Sequence, residues 1–248
     1  MQIEEYRRLA EVEDRHWYFR SLHAHVAREL RSRHAVDAGV EALDAGCGTG
    51  GFIGRMNRTL PSWSWSGIDF MPLACELARR RVPQATIREA SVTELPFVDA
   101  SFAVVTALDV ITQVPYPGAA AQAFVELRRV LKPGGTLVIN AAAYRWLWSY
   151  HDEACQTQHR FAAAELLELA RVAGLVPVRL THWNALTLPL VVVRRKLLAR
   201  PASGSDVQPL PWVLDRAVGA VMALEHAWLR LGGNWRWGSS LLLSATRP

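Results

Sequence analysis

Apolar runs of strand length alternate with stretches of helical periodicity through the middle of the chain. The predicted strands are EALDAG (41–46), SWSGIDF (64–70), ATIREA (85–90), FAVVTALD (102–109) and TLVINAA (136–142). Segments 51–60, 72–81 and 118–131 lie between them and are predicted to be amphipathic helices. Alternation of this kind is typical of a mostly parallel sheet with helices on both faces, so the predicted fold class is doubly wound α/β.

The two ends of the chain depart from this alternation. Residues 4–33 read as one or two helices, interrupted by the aromatic cluster HWYF at 16–19. The motif KPGG at 132–135 predicts a turn into the fifth strand, because its proline and glycine suit the central turn positions. Beyond Tyr144, the predicted elements are a helix (162–175), a strand (176–183), a loop (201–211), a helix (212–231) and a last strand (240–246).

Composition excludes several classes of protein. Half of the 248 residues are hydrophobic and the formal charge is only +5, carried mainly by scattered arginines, so nucleic acid is not expected as a partner. Three cysteines without CxxC spacing predict neither a disulfide framework nor a metal site. The charged N-terminus does not resemble a signal peptide, and cytoplasmic localisation is expected. The apolar run 185–193 is too short to span a membrane but ends in Arg194, Arg195 and Lys196, which leaves peripheral membrane contact open.

The glycine-rich stretch EALDAGCGTGGF, at 41–52, indicates a nucleotide-type cofactor. Gly46, Gly48 and Gly51 satisfy G-x-G-x-x-G, a motif that is weak by itself and shared by dinucleotide and S-adenosylmethionine sites. Asp69 ends the second predicted strand, where a carboxylate can accept hydrogen bonds from ribose hydroxyls. Asp44 precedes the loop, and its negative charge would repel a diphosphate but attract a sulfonium and an ammonium group.

The ordered motifs resemble those of class I S-adenosylmethionine-dependent methyltransferases. LDAGCGTG, GIDF, LPFVDASFAVV and ELRRVLKPGGTLVI occur in the family's order and spacing over residues 41–142, and the closest likeness is to a bacterial small-molecule and glycan branch. The resemblance implies a seven-stranded Rossmann-like sheet in which the strand 240–246 is antiparallel. It also divides a single domain, 1–248, into an N-terminal helical cap (1–37), a cofactor-binding core (38–145) and an acceptor-site part (146–248).

The same resemblance implies the residues that bind S-adenosylmethionine. The loop 46–50 would contact the methionine part, Asp44 the ammonium group and Asp69 the ribose. Phe70 and Met71 would lie along the adenine, with Ser91 and Val92 at its edge, and Trp17 would belong to a lid. Asp109 would lie where the two substrates meet. The predicted cofactor residues are thus Trp17, Asp44, Gly46, Cys47, Gly48, Gly50, Asp69, Phe70, Met71, Ser91, Val92 and Asp109.

His151, followed by Asp152, is the predicted general base, since it follows the last segment that resembles the family and histidine titrates near neutrality. Two positions where that branch often has histidine hold Gln113 and Thr157 instead. We therefore expect O-methylation of a small molecule, a secondary metabolite or a saccharide, with apolar molecules and lipid-linked glycans among the acceptors. A non-catalytic cofactor-binding protein and an NAD(P)-dependent oxidoreductase are the alternatives.

Overall fold

The computed structural model describes residues 3–36, 39–198, 205–208 and 210–248, which form one seven-stranded sheet with helices on both faces. The strands are β1 (Glu41–Ala45), β2 (Ser64–Asp69), β3 (Thr86–Glu89), β4 (Phe102–Leu108), β5 (Leu131–Ala142), β6 (Val176–Trp183) and β7 (Ser240–Thr246). The helices are α1 (Ile3–Val12), α2 (Trp17–Arg31), α3 (Gly51–Thr59), α4 (Pro72–Arg81), α5 (Gly118–Val130), α6 (Tyr150–Ala154), α7 (Ala163–Val172), α8 (Leu188–Val192) and α9 (Trp212–Arg230).

The strand order is β3-β2-β1-β4-β5-β7-β6. Strands β1 to β5 pair in parallel, while β7 is antiparallel to both β5 and β6. The doubly wound, mostly parallel sheet and the antiparallel last strand are therefore confirmed. The order reverses at β1 and β4, and in open α/β sheets ligands bind beside the carboxyl ends of the strands at such a reversal.

Buried side chains cover the sheet on both faces. One cluster packs α5 and α7 against the sheet, with Phe124 and Leu127 of α5 and Leu166 of α7 fully buried. The apolar residues of α5 recur at helical spacing, and Arg128 and Arg129 end it, where positive charge favours a helix C-terminus. The other cluster packs α2, α3, α4 and α9 against the opposite face.

The fifth strand begins earlier than predicted. It starts at Leu131, directly after α5, and contains the KPGG motif, which the sequence predicts to be a turn. The motif forms an irregularity within the strand: Leu131 pairs with Phe102, the register shifts, and regular pairing resumes at Thr136 opposite Val104. Gly134 has φ +76°, a left-handed conformation that glycine adopts without strain.

The C-terminal part adds short helices that the sequence pattern did not predict. These are α6 and α8, the latter extended by a π-helical turn, Val193–Leu197. The predicted loop 201–211 lies partly outside the described residues, and 205–208 form neither helix nor strand. Among the described helices, none is both long and apolar enough to cross a membrane.

A buried carboxylate of α9 holds the segment that follows β6. Glu225 is 0% exposed, and its oxygens accept hydrogen bonds from the backbone N–H groups of Asn184, Ala185 and Leu186 at 2.6, 2.9 and 3.1 Å. Burial raises the pKa of Glu225 and the three N–H donors lower it. This contact attaches α9 to the sheet edge.

We expect Glu225→Gln to lower the free energy of unfolding by about 1–3 kcal/mol, because an amide has one acceptor oxygen for three buried donors. Urea unfolding would measure the change. Glu168→Gln, on the exposed side of α7, is the matched control and should change the free energy of unfolding by less than about 0.5 kcal/mol. Equal midpoints for the two variants would contradict this account of α9.

Candidate active site and cofactor cavity

A cavity of about 510 Å³ lies where the carboxyl ends of β1, β2 and β4 meet, and α1, α2 and α6 contribute to its walls. This volume is within the range of small-molecule sites. All predicted cofactor and catalytic residues except Gly50 and Met71 line it. The structure therefore brings together residues that are spread over more than half of the chain.

The glycine loop forms the floor of this cavity. Gly46 has φ +91°, and its N–H and that of Cys47 both donate to the carbonyl oxygen of Ile68 at 2.8 Å. A Cβ on Gly46 would lie 2.6 Å from the Cβ of Val110, so no larger residue fits without displacing the segment after β4. Gly48, at φ +52°, also lines the cavity.

Gly50, which the resemblance places against the cofactor, lies where two helices meet. It has φ +82° and precedes α3, and a Cβ there would lie 3.2 Å from the Cα and Cβ atoms of Ala78 in α4. It therefore allows α3 and α4 to approach each other and is absent from the cavity wall. Met71 is absent from that wall too: its backbone N–H donates to an Asp69 oxygen at 3.0 Å, and it precedes α4.

Asp44 is a nearly isolated buried carboxylate. It is 2% exposed, and the hydroxyl of Thr106 donates to its Oδ1 at 2.7 Å. The pKa of Asp44 is raised to about 7, mainly by burial and to a smaller extent by the nearby carboxylates Glu13 and Asp69, although the Thr106 hydrogen bond lowers it. A positively charged group in the cavity would offset this cost of burial.

Asp69 ends β2 and is held by three donors. Its Oδ2 accepts the N–H of Gly48 at 3.0 Å, and its Oδ1 accepts the N–H of Met71 and the hydroxyl of Tyr6 at 3.3 Å. Burial is the largest influence on its pKa and raises it, whereas these hydrogen bonds lower it. Phe70, which is 54% exposed, follows it at the rim, and Ser91 and Val92 line the cavity beside it.

Asp109 belongs to a buried polar network. Its Oδ2 accepts the Tyr18 hydroxyl at 2.9 Å and its Oδ1 accepts the side-chain amide of Asn140 at 2.7 Å. The indole N–H of Trp183 in turn donates to the Asn140 Oδ1 at 2.7 Å. Burial raises the pKa of Asp109 to about 6 despite these hydrogen bonds, so its proton affinity lies close to neutrality.

The cavity is strongly acidic. The carboxylates that line it are Glu5, Glu13, Asp44, Asp69, Asp109, Asp152 and Asp206. Its lining contains two arginines, each bound to a carboxylate: Arg160 to Asp152 at 2.7 Å and Arg195 to Asp206 at 2.8 Å. Within the described part of the chain, no group of three histidine, cysteine or acidic side chains is arranged to hold a metal ion.

His151 lines the cavity as predicted, but its hydrogen bonding does not suit a base. Its Nδ1 accepts the backbone N–H of Asp206 at 3.1 Å, so the neutral ring carries its proton on Nε2. Burial lowers the pKa of His151 to about 3, and the charge of Arg195 lowers it too. The neutral ring can therefore donate a hydrogen bond from Nε2 but is poorly placed to take up a proton.

Asp152 does not orient His151. It is 1% exposed, and its Oδ1 accepts the Arg160 guanidinium at 2.7 Å while its Oδ2 accepts the backbone N–H of Ser149 at 2.9 Å. Arg160 also donates to the carbonyl oxygen of Ala143 at 2.7 Å. The carboxylate caps α6 and joins it to the end of β5, which is a structural task.

Helix α1 covers the glycine loop, and the sequence pattern did not predict this contact. Tyr6 contacts Asp69, as described above, and the hydroxyl of Thr49 donates to Glu13 at 2.6 Å. Arg81 of α4 binds the same Glu13 carboxylate at 2.7 Å. The acidic residues and Tyr6 on one face of α1 were the available signal, but nothing local shows what that face contacts.

Trp17 and His16 line the cavity, and the lid role of Trp17 stays a prediction. His16 also precedes α2, where its Nδ1 accepts the backbone N–H of Tyr18 at 3.3 Å. None of the described residues that line the cavity is a tryptophan of the C-terminal part. Trp183 is fully buried in the core, whereas Trp212, Trp228 and Trp237 are about half exposed or more.

Comparison with known proteins agrees with this geometry. Residues 42–135 match the methyltransferase domain family. Residues 42–135 therefore form a methyltransferase domain of the class I S-adenosylmethionine-dependent type, and S-adenosylmethionine is the cofactor of that class. The resemblance predicted from the motifs is thereby confirmed, while the narrower small-molecule and glycan branch stays a prediction.

Three relatives indicate the range of similar sequences. An uncharacterised 37.1 kDa protein in transposon Tn4556 of Streptomyces fradiae is 39% identical over 193 residues, which cover 75% of this chain and 55% of that protein. A probable S-adenosylmethionine-dependent methyltransferase of Mycolicibacterium smegmatis is 32% identical, covering 66% and 60%. The phthiotriol/phenolphthiotriol dimycocerosates methyltransferase 1 of Mycobacterium ulcerans is 32% identical, covering 42% and 38%. The aligned part therefore spans little more than half of the first two relatives.

Solved structures share the fold at low sequence identity. A chain in the complex between the Haloferax volcanii Trm112 methyltransferase activator and a methyltransferase aligns with TM-score 0.62 and 21% identity, covering 98% of both chains. Geranyl diphosphate C-methyltransferase of Streptomyces coelicolor, solved with S-adenosyl-L-homocysteine, aligns with TM-score 0.60 and 17% identity, covering 91% of this chain and 79% of that chain. These likenesses show that the chain shares the Rossmann-like fold of these proteins.

We expect Asp152→Asn to lower the free energy of unfolding by about 3–5 kcal/mol, because it leaves the Arg160 charge buried without a partner. The double variant Asp152→Asn/Arg160→Met should recover part of that loss, since it removes the unpaired charge. Thermal or urea unfolding would measure both. A variant Asp152→Asn of unchanged stability would instead return Asp152 to the chemical role that the sequence predicted.

Proposed function

We propose that this protein transfers a methyl group from S-adenosylmethionine to a hydroxyl oxygen of an apolar small molecule. The observation that carries the proposal is the charge of the cavity: seven carboxylates line it, and three of them, Asp44, Asp69 and Asp109, form no ion pair within the described residues. A diphosphate would be repelled by this lining, whereas a sulfonium and an ammonium group would be attracted. An NAD(P)-dependent oxidoreductase is therefore disfavoured.

The residues of the loop and strand ends suit the cofactor. Gly46 and Gly48 present bare backbone, Asp44 offers a carboxylate for the ammonium group, and Asp69 ends β2 where the ribose would lie. Phe70 and Val92 provide apolar surface for the adenine at the rim. When bound, S-adenosylmethionine supplies a methyl group that its sulfonium already activates, so the protein mainly has to hold the acceptor and take up its proton.

We assign the proton transfer to Asp109. Its pKa of about 6 leaves it ionised at neutral pH yet basic enough to assist the loss of a hydroxyl proton. Each of its oxygens accepts one hydrogen bond, from Tyr18 and from Asn140, so each has a lone pair left for the acceptor. His151 would donate from Nε2 and orient the acceptor, in place of the base role that the sequence predicted.

The cavity walls and their surroundings support an apolar acceptor. Much of the lining is apolar, including Phe19, Leu22 and Val191. Val191 belongs to α8, and no residue of α8 or the π-helical turn is buried; Leu190 and Leu197 are 57% and 74% exposed. One relative is named as a phthiotriol/phenolphthiotriol dimycocerosates methyltransferase, whose name denotes a lipid acceptor. We propose a lipid-like molecule, a lipid-linked glycan included, reached from a cytoplasmic membrane surface beside α8.

Cofactor affinity should depend on the ionisation of Asp44. With a pKa of about 7, this carboxylate is mostly protonated at pH 6 and mostly ionised at pH 8, and only the ionised form attracts an ammonium group. We expect S-adenosylhomocysteine to bind roughly tenfold more tightly at pH 8 than at pH 6, by calorimetry.

The control for this measurement is Asp44→Asn, which should bind weakly with little pH dependence because the titrating group is gone. NADH should give no heat of binding to either protein. Saturable NADH binding, or an affinity for S-adenosylhomocysteine that Asp44→Asn leaves intact, would reject the assignment of this cavity.

Methyl transfer itself can be tested with methyl-labelled S-adenosylmethionine and a lipid extract of the source organism. We expect label in an apolar product together with S-adenosylhomocysteine. Asp109→Asn should lower turnover by about 100-fold or more if the carboxylate takes up the proton. His151→Gln, which keeps an N–H donor, should stay within about threefold of the wild type, while His151→Ala should lose about tenfold.

Equal losses in His151→Gln and His151→Ala would favour His151 as the base, as the sequence predicted. Each variant should keep its affinity for S-adenosylhomocysteine, which shows that the fold and cofactor site are intact. Cofactor binding with no labelled product from any extract would favour the non-catalytic binding protein.

A further inference from the structure

A second cavity, of about 720 Å³, lies between α2, α3 and α9 on the outer side of the sheet. Four arginines line it: Arg28 and Arg31 of α2, Arg55 of α3 and Arg230 of α9. We call it the basic groove. It is opposite in charge to the cofactor cavity, and none of its described lining residues is acidic.

None of these four arginines forms an ion pair with another residue of the described ranges 3–36, 39–198, 205–208 and 210–248. Arg28 donates to the carbonyl oxygen of Leu229, which joins α2 to α9. Burial lowers the pKa of Arg28 most, and the nearby charge of Arg179 lowers it further. The neighbouring Glu29 raises this pKa, but by less than Arg179 lowers it. Glu29 itself is bound to Arg33 at 2.7 Å. Positive charge therefore accumulates here, and none of the four arginines forms an ion pair within the described residues.

Two histidines in the groove have unused polar atoms. His25 is 6% exposed and His226 is half-buried, and within the described residues the Nε2 of each has no hydrogen-bond partner. Their rings meet edge to face, with centroids 4.1 Å apart. An unpartnered buried polar atom costs about 1–3 kcal/mol, so a ligand or an ordered water that reached these two atoms would stabilise the protein.

We propose that the basic groove binds a phosphate or diphosphate group of a small molecule or lipid, as a site separate from the cofactor cavity. Guanidinium groups are planar and match the oxygens of a phosphate, and arginines on three helices surround the space. Arg31 and Arg230 are exposed and can turn toward a ligand, while His25 and Arg28 form the inner wall. The ligand would supply the negative charge that the groove lacks.

The groove does not depend on the proposed methyl transfer. His23 alone is shared between the lining residues of the two cavities, and its ring packs edge to face on Phe52 at a centroid distance of 5.3 Å. The cofactor residues Asp44 and Asp69 are absent from the groove. A ligand in the groove can therefore be detected without any acceptor or cofactor.

The test is a titration of the full chain with inorganic pyrophosphate by calorimetry, at low salt. We expect saturable binding, weakened about tenfold or more in Arg31→Gln/Arg230→Gln, because two exposed cations at the rim are removed. The matched control is Arg171→Gln/Arg216→Gln, which removes the same charge from exposed positions of α7 and α9 outside the groove. The control should bind pyrophosphate like the wild type.

A second arm identifies the source of the phosphate. Vesicles of phosphatidylglycerol with phosphatidylcholine are compared with phosphatidylcholine alone in a sedimentation assay. Binding of pyrophosphate indicates a free phosphorylated molecule; binding only to anionic vesicles, lost in the groove variant and kept in the control, indicates a lipid headgroup. The proposal fails if neither probe binds, or if both double variants lose binding equally. Unchanged affinity for S-adenosylhomocysteine would show that both variants are folded.

Discussion

One carbonyl oxygen, that of Ile68, holds the bend on which the cofactor cavity depends. The N–H groups of Gly46 and Cys47 both donate to it, so the chain that leaves β1 is attached to the end of β2. A single side chain on Gly46 would open this bend, because the residue has φ +91° and no room for a Cβ. As long as the bend is closed, the carboxylates at the ends of β1 and β2, Asp44 and Asp69, face the same space.

Placing these carboxylates together is unfavourable in the absence of a cation. Burial is the largest influence on the pKa of Asp44, Asp69 and Asp109, and it raises all three. Hydrogen bonds from Thr106 and from the backbone at Gly48 lower the cost only in part. Natural proteins keep such arrangements at functional sites, because the ligand supplies the compensating charge. The unfavourable energy of this cavity is thus electrostatic, and it favours a ligand that carries positive charge.

The sheet could be predicted from the sequence because its signals are local. Apolar runs and glycine bends determine each strand separately, and they placed β6 (Val176–Trp183) at its observed bounds. The predicted start of β5 was wrong. A KPGG turn and a bulged strand have the same local sequence signature, and only the pairing with Phe102 distinguishes them.

Asp44, Asp69 and Asp109, which line the cavity, could be placed from the sequence for the same reason, since they lie at the ends of strands. The residues that cover or buttress them could not. Tyr6 of α1 and Glu13, which directly follows α1, reach the cavity through contacts with Asp69 and Thr49, which are distant in sequence. Asp152 follows His151, which suggested a catalytic pair, yet its carboxylate points to Arg160. Neighbours in sequence show which residues are available, but only packing decides which of them interact.

Helix α2 separates two sites of opposite charge. Near its start, Tyr18 donates to Asp109 in the acidic cavity, and two turns later His25 and Arg28 line the basic groove. The ring of Tyr18 stacks on the fully buried Trp183, and the ring of His25 contacts the same indole edge to face. Both parts of α2 are therefore held by one side chain. Since charges in a dry interior interact more strongly than in water, this separation keeps the arginines away from the carboxylates that a cationic cofactor needs. A molecule with an anionic head and an apolar body would be attracted to the groove and repelled by the cavity floor, so the two sites sort their ligands by charge.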